Sequence, residues 1–497
     1  MQFGSVEYLI FLTCAAVVYF ALPGVKSRTL WLLAASYFFY ATLSASWTVV
    51  LLGVTAVGYV FGLLLDRSEH AAGHKIPSRT RGVLVLGIAI VLAVLFTFKY
   101  AGFASGALSG ALWRLGAGQP VPLIRLALPV GISFWTFQTI AYLIDIARGN
   151  QAAERNVLSY GLFIAFFPQV SAGPIARAGQ LLPQLATKHR FEYDLMRSGL
   201  LLMLWGFFKK LVVADPLAMI VNTVYGDPDK FATDPIVLIA ATVAFSVQIY
   251  CDFSGYTDIV RGSARLFGVN LLPNFARPYE ARSIREFWRR WHMSLMSWFK
   301  DYVYIPLGGS RVSPWRRRLN ILAVFLVSGL WHGAGLTFVV WGLLNGLYQI
   351  VGEWLAPLRE RVAGQFKLRP ESSIRKVIAT MITFGLVTIA WVFFRAESMA
   401  DAFLILQAML RPVWTSHTNY ALGHIGLSLI QLKVVAVATA TVFITEWISG
   451  RIDLPGLVYR QNVVVRWIIY QGTVMTVVIF GFYGAQYDAA SFAYFKF

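Results

Sequence analysis

The sequence predicts an all-α protein threaded many times through a membrane, and three observations predict it. Of its 497 residues 57% are hydrophobic and 13% charged, against roughly a quarter charged in an ordinary soluble domain. Apolar runs of about 15–20 residues recur from one end to the other, each near the length a helix needs to cross hydrocarbon. The 43 Lys and Arg, set against 24 Asp and Glu, gather in the polar stretches between those runs, as in loops held on the positive side of a membrane. In a soluble protein a charge of +19 would raise nucleic-acid binding. Here topology accounts for it, and no nucleic-acid partner is expected.

In chain order the apolar segments fall at about 7–23, 29–44, 47–65, 82–98, 123–146, 157–175, 199–214, 236–250, 320–350, 377–395, 432–448 and 463–483. That makes about eleven to thirteen membrane or re-entrant pieces. The first reads as a retained helix rather than a cleaved leader, because Glu7 is its only early charge and no basic residue opens it. The run 157–175 is interrupted by Pro and Gly and flanked by Arg148, Arg155, Arg177, Lys188, Arg190 and Arg197, which leaves a full crossing open. No linker or internal repeat divides the chain, which weighs against a transporter built from inverted halves. The expected organisation is one membrane domain over 1–497. Cys14 and Cys251 form no CxxC or Cys/His spacing, so neither a disulfide framework nor a metal site is expected.

Charge counts set the sidedness. The loop 67–81 carries Arg67, Lys75, Arg79 and Arg81; the stretch 277–318 holds ten Lys/Arg; 359–376 holds six more. All three are expected on the cytoplasmic side. The 34 residues between Arg318 and Glu353 then form a hairpin, since two full crossings need about 40. Its expected tip is the glycine-rich Gly329–Gly335. His332, 14 residues beyond Arg318, would lie about 21 Å along a helix, deep in the bilayer.

Two histidines stand out in this setting. His332 is read either as a lock bonding a neighbouring helix or as a general base, mostly neutral at pH 7 and able to take a proton from a hydroxyl. Trp331 would wall it, and Gly333 and Gly335 would leave room for an acyl chain or thioester. His292 lies in EFWRRWHMSLMSWFKDY, where Trp288, Trp291, Leu295, Trp298 and Phe299 recur at helical spacing while Arg289, Arg290 and Lys300 lie off the stripe. One amphipathic helix at an interface is expected there, with His292 either structural or functional. His189 and Asp194 make an HxxxxD spacing used by some acyltransferases, but in a polar loop without companion motifs it is discounted. Lys209 and Lys210, inside an apolar run, must reach an interface or a polar cavity, and snorkelling to the interface is the expected outcome.

These residues belong to a longer set of ordered motifs: FKYAGF (98–103), LPVGISFWTFQTIAYLIDIARG (128–149), FFPQVSAGPIAR (166–177), GFFKKLVVAD (206–215) and YCDFSGYTDIVRG (250–262). NFARPY (274–279), SIREFWRRWHMSLMSWFKDYVYIPLGG (283–309), GLWHGAGLTFVVWG (329–342) and WVFFRAES (391–398) follow. With them the chain resembles the membrane-bound O-acyltransferase (MBOAT) superfamily over nearly its whole length, in its bacterial branch of alginate O-acetylation proteins.

The resemblance implies a polytopic helical fold with its catalytic core at about 128–350. His332 is the implied catalytic histidine and His292 a second one in the same site, with Trp331, Gly333 and Gly335 around the substrate. Gly335 departs from the branch, which usually has Asn there. The implied reaction takes an acyl group, most readily acetyl, from a cytoplasmic thioester to an extracytoplasmic acceptor. The implied donor is acetyl-CoA or a carrier thioester, with no tightly bound cofactor or metal. The implied partners are a periplasmic esterase-like acyltransferase and a polysaccharide, and the implied location is the bacterial inner membrane. D-alanyl transfer to another envelope polymer and, in a different class, transport of a lipid-linked sugar remain the alternatives.

Overall fold

With no water to satisfy them, backbone N–H and C=O groups in an apolar environment must bond within their own segment, so a chain this apolar builds helices. A computed structural model describes residues 1, 3–66, 77–116, 122–124, 126–367, 369, 371–410, 423 and 425–483; Arg67 and Lys75 of the first basic loop lie outside them. Every regular element among the described residues is helical. The chain forms two compact units, Met1–Met203 with Ile259–Leu272, and Leu204–Asp258 with Pro273–Phe497.

The first unit holds α1 (Val6–Ala21), α2 (Val25–Leu43), α3 (Ala45–Asp66), α4 (Ser78–Arg114), α5 (Ile132–Ala147), α6 (Val157–Ala165), α7 (Ala178–Leu185) and most of α8 (Tyr193–Phe207). α4 runs 37 residues, well past the expected 82–98, and takes in FKYAGF. In the interrupted run, only the nine residues of α6 are helical, about 14 Å and too short to cross. The buried turns that follow are held by side chains: Ser36 Oγ accepts the Phe167 N–H at 3.1 Å, and Gln138 donates to the Phe163 carbonyl at 2.7 Å.

The second unit continues from α8 through a π-helical stretch, Phe208–Ala214, into α9 (Asp215–Gly226) and α10 (Pro235–Arg265). Then come α11 (Ile284–Arg290), α12 (Met293–Phe299), α13 (Pro314–His332), α14 (Leu336–Trp354), α15 (Ala356–Gln365) and α16 (Ser373–Arg395). α17 (Met399–Met409), α18 (Leu429–Ser449), α19 (Leu454–Tyr459) and α20 (Val463–Phe480) complete it.

Among the described residues six helices are long and apolar enough to span a bilayer: α3, α4, α10, α16, α18 and α20. The remaining expected segments are shorter, broken or less apolar, α1, α5, α13 and α14 among them. The chain is thus a multi-pass membrane protein.

The expected hairpin is α13 and α14. Ser313 caps its start by accepting the Arg316 N–H, and the chain turns at Gly333–Gly335. The two legs approach so closely that a Cβ on Gly329 would strike the Phe338 backbone, and one on Gly342 the Phe325 backbone. Small residues permit that backbone contact, as elsewhere in membrane helix pairs.

Candidate active site

His332 is the last residue of α13. The hairpin break exposes helix-end carbonyls, one of which is taken up when the Gly333 N–H donates to Gly329 O at 3.2 Å. The imidazole is 7% exposed and meets three rings: Trp331 at 4.7 Å between centroids, Trp341 of α14 at 5.1 Å and Phe394 of α16 at 5.1 Å. Trp341 is itself stacked on Trp391 at 5.8 Å. Asn345 braces this wall, accepting from Trp288 Nε1 at 3.0 Å and donating to the Trp341 carbonyl at 2.8 Å.

The helix expected through His292 is broken at that residue into α11 and α12. His292 adopts φ 45, ψ 53, a left-handed conformation that disfavours an L residue by about 1–2 kcal/mol. The expected apolar stripe is present, but Trp288, Trp291, Leu295, Trp298 and Phe299 are buried inside the protein rather than laid on an interface. His292 is 1% exposed, with its ring 4.8 Å from Phe253 and 6.2 Å from Trp331. It lies outside the six candidate spans, and burial pushes its pKa down from 6.5 to about 3. At neutral pH it is an uncharged imidazole, with one ring nitrogen a donor and the other an acceptor.

The two histidines, 40 positions apart in sequence, thus flank one indole, Trp331. Among the other residues expected around substrate, Gly333 has the Phe338 ring where a side chain would go, while a Cβ on Gly335 would make only ordinary contacts with Thr337 and Phe338. Imidazoles held against aromatic walls, His332 at the break of the hairpin and His292 between α11 and α12, are groups able to exchange a proton with a hydroxyl.

Elsewhere the structure separates what sequence spacing had joined. His189 bonds the Gln184 carbonyl and Asp194 pairs with Arg197, each serving its own local structure. The snorkelling expected of Lys209 and Lys210 does not occur. They are 3% and 4% exposed and close onto carboxylates: Lys209 onto Asp258, and Lys210 onto Asp252 at 2.6 Å and Asp215 at 2.8 Å. A buried cation needs a counter-charge more than a route to water when three aspartates are within reach. The signal that sequence offered was two acidic residues inside the apolar run 250–262, Asp252 and Asp258. Among the described residues no group of three or more His, Cys, Asp or Glu is placed to hold a metal ion.

Residues 125–393, which include both histidines, match the model of the membrane-bound O-acyltransferase family. The chain belongs to the membrane-bound O-acyltransferase family. It is an O-acyltransferase, and the transport alternative falls away. This family member is 37% identical over 410 residues to a probable alginate O-acetylase of Pseudomonas aeruginosa, covering 82% of this chain and 75% of that one. It is 33% identical over 407 residues to a peptidoglycan O-acetyltransferase of Helicobacter pylori, covering 77% and 73%. A teichoic acid D-alanyltransferase of Bacillus subtilis is 25% identical over 280 residues, covering 54% and 69%.

Proposed function

We propose that this O-acyltransferase moves an acetyl group from a cytoplasmic thioester, acetyl-CoA, across the bacterial inner membrane to an extracytoplasmic acceptor serving O-acetylation of a polysaccharide. The observation that carries this reading is the pair of buried histidines sharing Trp331 at the hairpin break. The relatives named as alginate and peptidoglycan O-acetylating enzymes supply the acetyl group and the polymer class.

In this mechanism the His332 imidazole takes the proton of the acceptor hydroxyl while the oxygen attacks the thioester carbonyl. The C–S bond breaks, the new ester carries the acyl group, and the proton on His332 passes to the departing thiolate. His292, neutral at pH 7, positions or polarises the reactants. Trp331 walls the acyl group, with Gly333 and Gly335 lining the turn beside it. CoA carries several negative charges, and drawing even one through hydrocarbon costs several kcal/mol. Passing only a neutral acetyl group avoids that penalty. A periplasmic esterase-like transferase is the partner that would hand the group to the polymer.

Sealed inside-out vesicles test the reading. External acetyl-CoA should be consumed only when acceptor is present in the lumen. Equal turnover with acceptor on the CoA side alone would end the cross-membrane mechanism. Turnover of a D-alanyl carrier thioester, with acetyl-CoA inert, would move the protein toward its D-alanyltransferase relative.

A further inference from the structure

The NFARPY motif at 274–279 has no part in the chemistry above, yet its first residue grips the chain at His292. Asn274 is fully buried. Its carbonyl accepts the Met293 N–H at 2.9 Å, and its side-chain Oδ1 accepts the Ser294 N–H at 3.3 Å. Two residues on, the Ala276 N–H donates to Arg290 O at 3.0 Å, and the Arg290 guanidinium returns a bond to Arg277 O at 3.3 Å. The motif therefore ties down the chain on both sides of Trp291–His292.

This grip answers two local needs. His292 is the N-cap of α12 but makes no side-chain cap bond of its own, so the first N–H groups of α12 need an outside acceptor. His292 is also left-handed at φ 45, a conformation that persists only where the surroundings over-determine it. Asn274 supplies both acceptors at once. The neighbouring Phe275 packs on Phe253 at 5.1 Å and Trp291 at 5.0 Å, and Phe253 is the ring that faces His292.

We infer that Asn274 is a positioning residue, holding His292 in its left-handed turn with its ring against Trp331 and so setting the geometry of acyl transfer. The inference rests on the reading that His292 takes part in the reaction. Asn274 Nδ2 makes no hydrogen bond among the described residues. Asn274→Asp therefore keeps the Oδ acceptor and removes no bond seen here.

The test uses the full chain as the sole copy in cells, with variants Asn274→Ala, Asn274→Asp, His292→Ala and the double Asn274→Ala/His292→Ala. The readout is the initial rate at which alkali-labile acyl esters enter the cell-envelope polymer fraction, per enzyme in the membrane. Asn274→Ala should lose roughly 10- to 100-fold, the scale of a small misplacement of a reacting group. Asn274→Asp should recover most of the wild-type rate. The double variant should be no slower than the slower single one, because a residue acting through His292 has nothing left to position. Should Asn274→Ala fail to accumulate, Asn274→Ser takes its place in the cycle. Losses that multiply would make Asn274 merely structural and overturn the inference, as would an aspartate variant that accumulates and unfolds like wild type, despite its buried carboxyl, yet is as slow as the alanine one. So would a fast Asn274→Ala beside a slow His292→Ala, with the reading of His292 left standing. A wild-type rate in His292→Ala would remove that reading and the inference with it.

Discussion

Two buried polar clusters of the second unit, Lys209–Lys210 and His292–His332, meet the same physical difficulty in opposite ways. The lysines close onto Asp258, Asp252 and Asp215. The histidines are set among the rings of Phe253, Trp331, Trp341 and Phe394, and burial holds His292 neutral. Ions locked by counter-ions are fixed in state and brace the helices that carry them. An uncharged imidazole among aromatic faces instead presents one donor and one acceptor nitrogen.

The sharpest way to break this contrast is His332→Ala. Removing a general base should lower acyl transfer by roughly 10²–10⁴-fold, with membrane accumulation and thermal unfolding close to wild type. A variant retaining most of its transfer would return His332 to a structural lock and leave both clusters structural.

Lys210→Met should show the opposite pattern. It leaves Asp215 and Asp252 buried without their cation, and breaking a buried pair costs about 3–5 kcal/mol. Thermal unfolding in detergent should fall markedly, while transfer per folded molecule stays at the wild-type level. Normal stability with lost transfer would bring the lysines into the reaction and dissolve the comparison.

A pH series sharpens the histidine side. In the folded state His292 lies below its ordinary 6.5, at about 3, so the unfolded chain binds the proton first as pH falls. The stability it contributes is fully present above 6.5 and is lost as pH drops from there toward about 3. His292→Phe, which keeps a ring in the cage, should flatten that part of the curve of unfolding temperature against pH. An unchanged slope would mean that His292 is not held neutral by burial.

The smallest effects concern the turn. Gly333→Ala must displace the Phe338 ring and should cost about 1–3 kcal/mol by overpacking. Gly335→Ala meets only ordinary contacts and should stay within about 0.5 kcal/mol. Equal losses in thermal unfolding would show that the turn is packed differently on its two sides than the Phe338 contact implies.

Much of the fold was legible in the residues. The apolar runs marked the helices, the charge counts set a hairpin between Arg318 and Glu353, and its glycine-rich tip lies at the observed break. Both histidines were singled out. The break at His292 was hidden because the stripe through Trp288, Trp291, Leu295 and Trp298 is continuous at helical period. Nothing local shows that Asn274 will draw the chain into a left-handed turn. The lysines were misread because Asp252 and Asp258 lie more than 40 positions away, and because Asp215, five positions beyond Lys210, carries no local sign that it turns back onto the lysine.

By itself, then, the sequence determined that this chain is helical, membrane-embedded and hinged at a histidine-bearing glycine turn. Those properties follow from composition and short-range periodicity, which act through solvent and backbone. Only the tertiary structure decided which buried groups close into ion pairs and which are set among aromatic rings. It also decided that one indole, Trp331, joins the two histidines. Protonation state and proximity depend on neighbours that packing brings together, and no spacing along the chain encodes them.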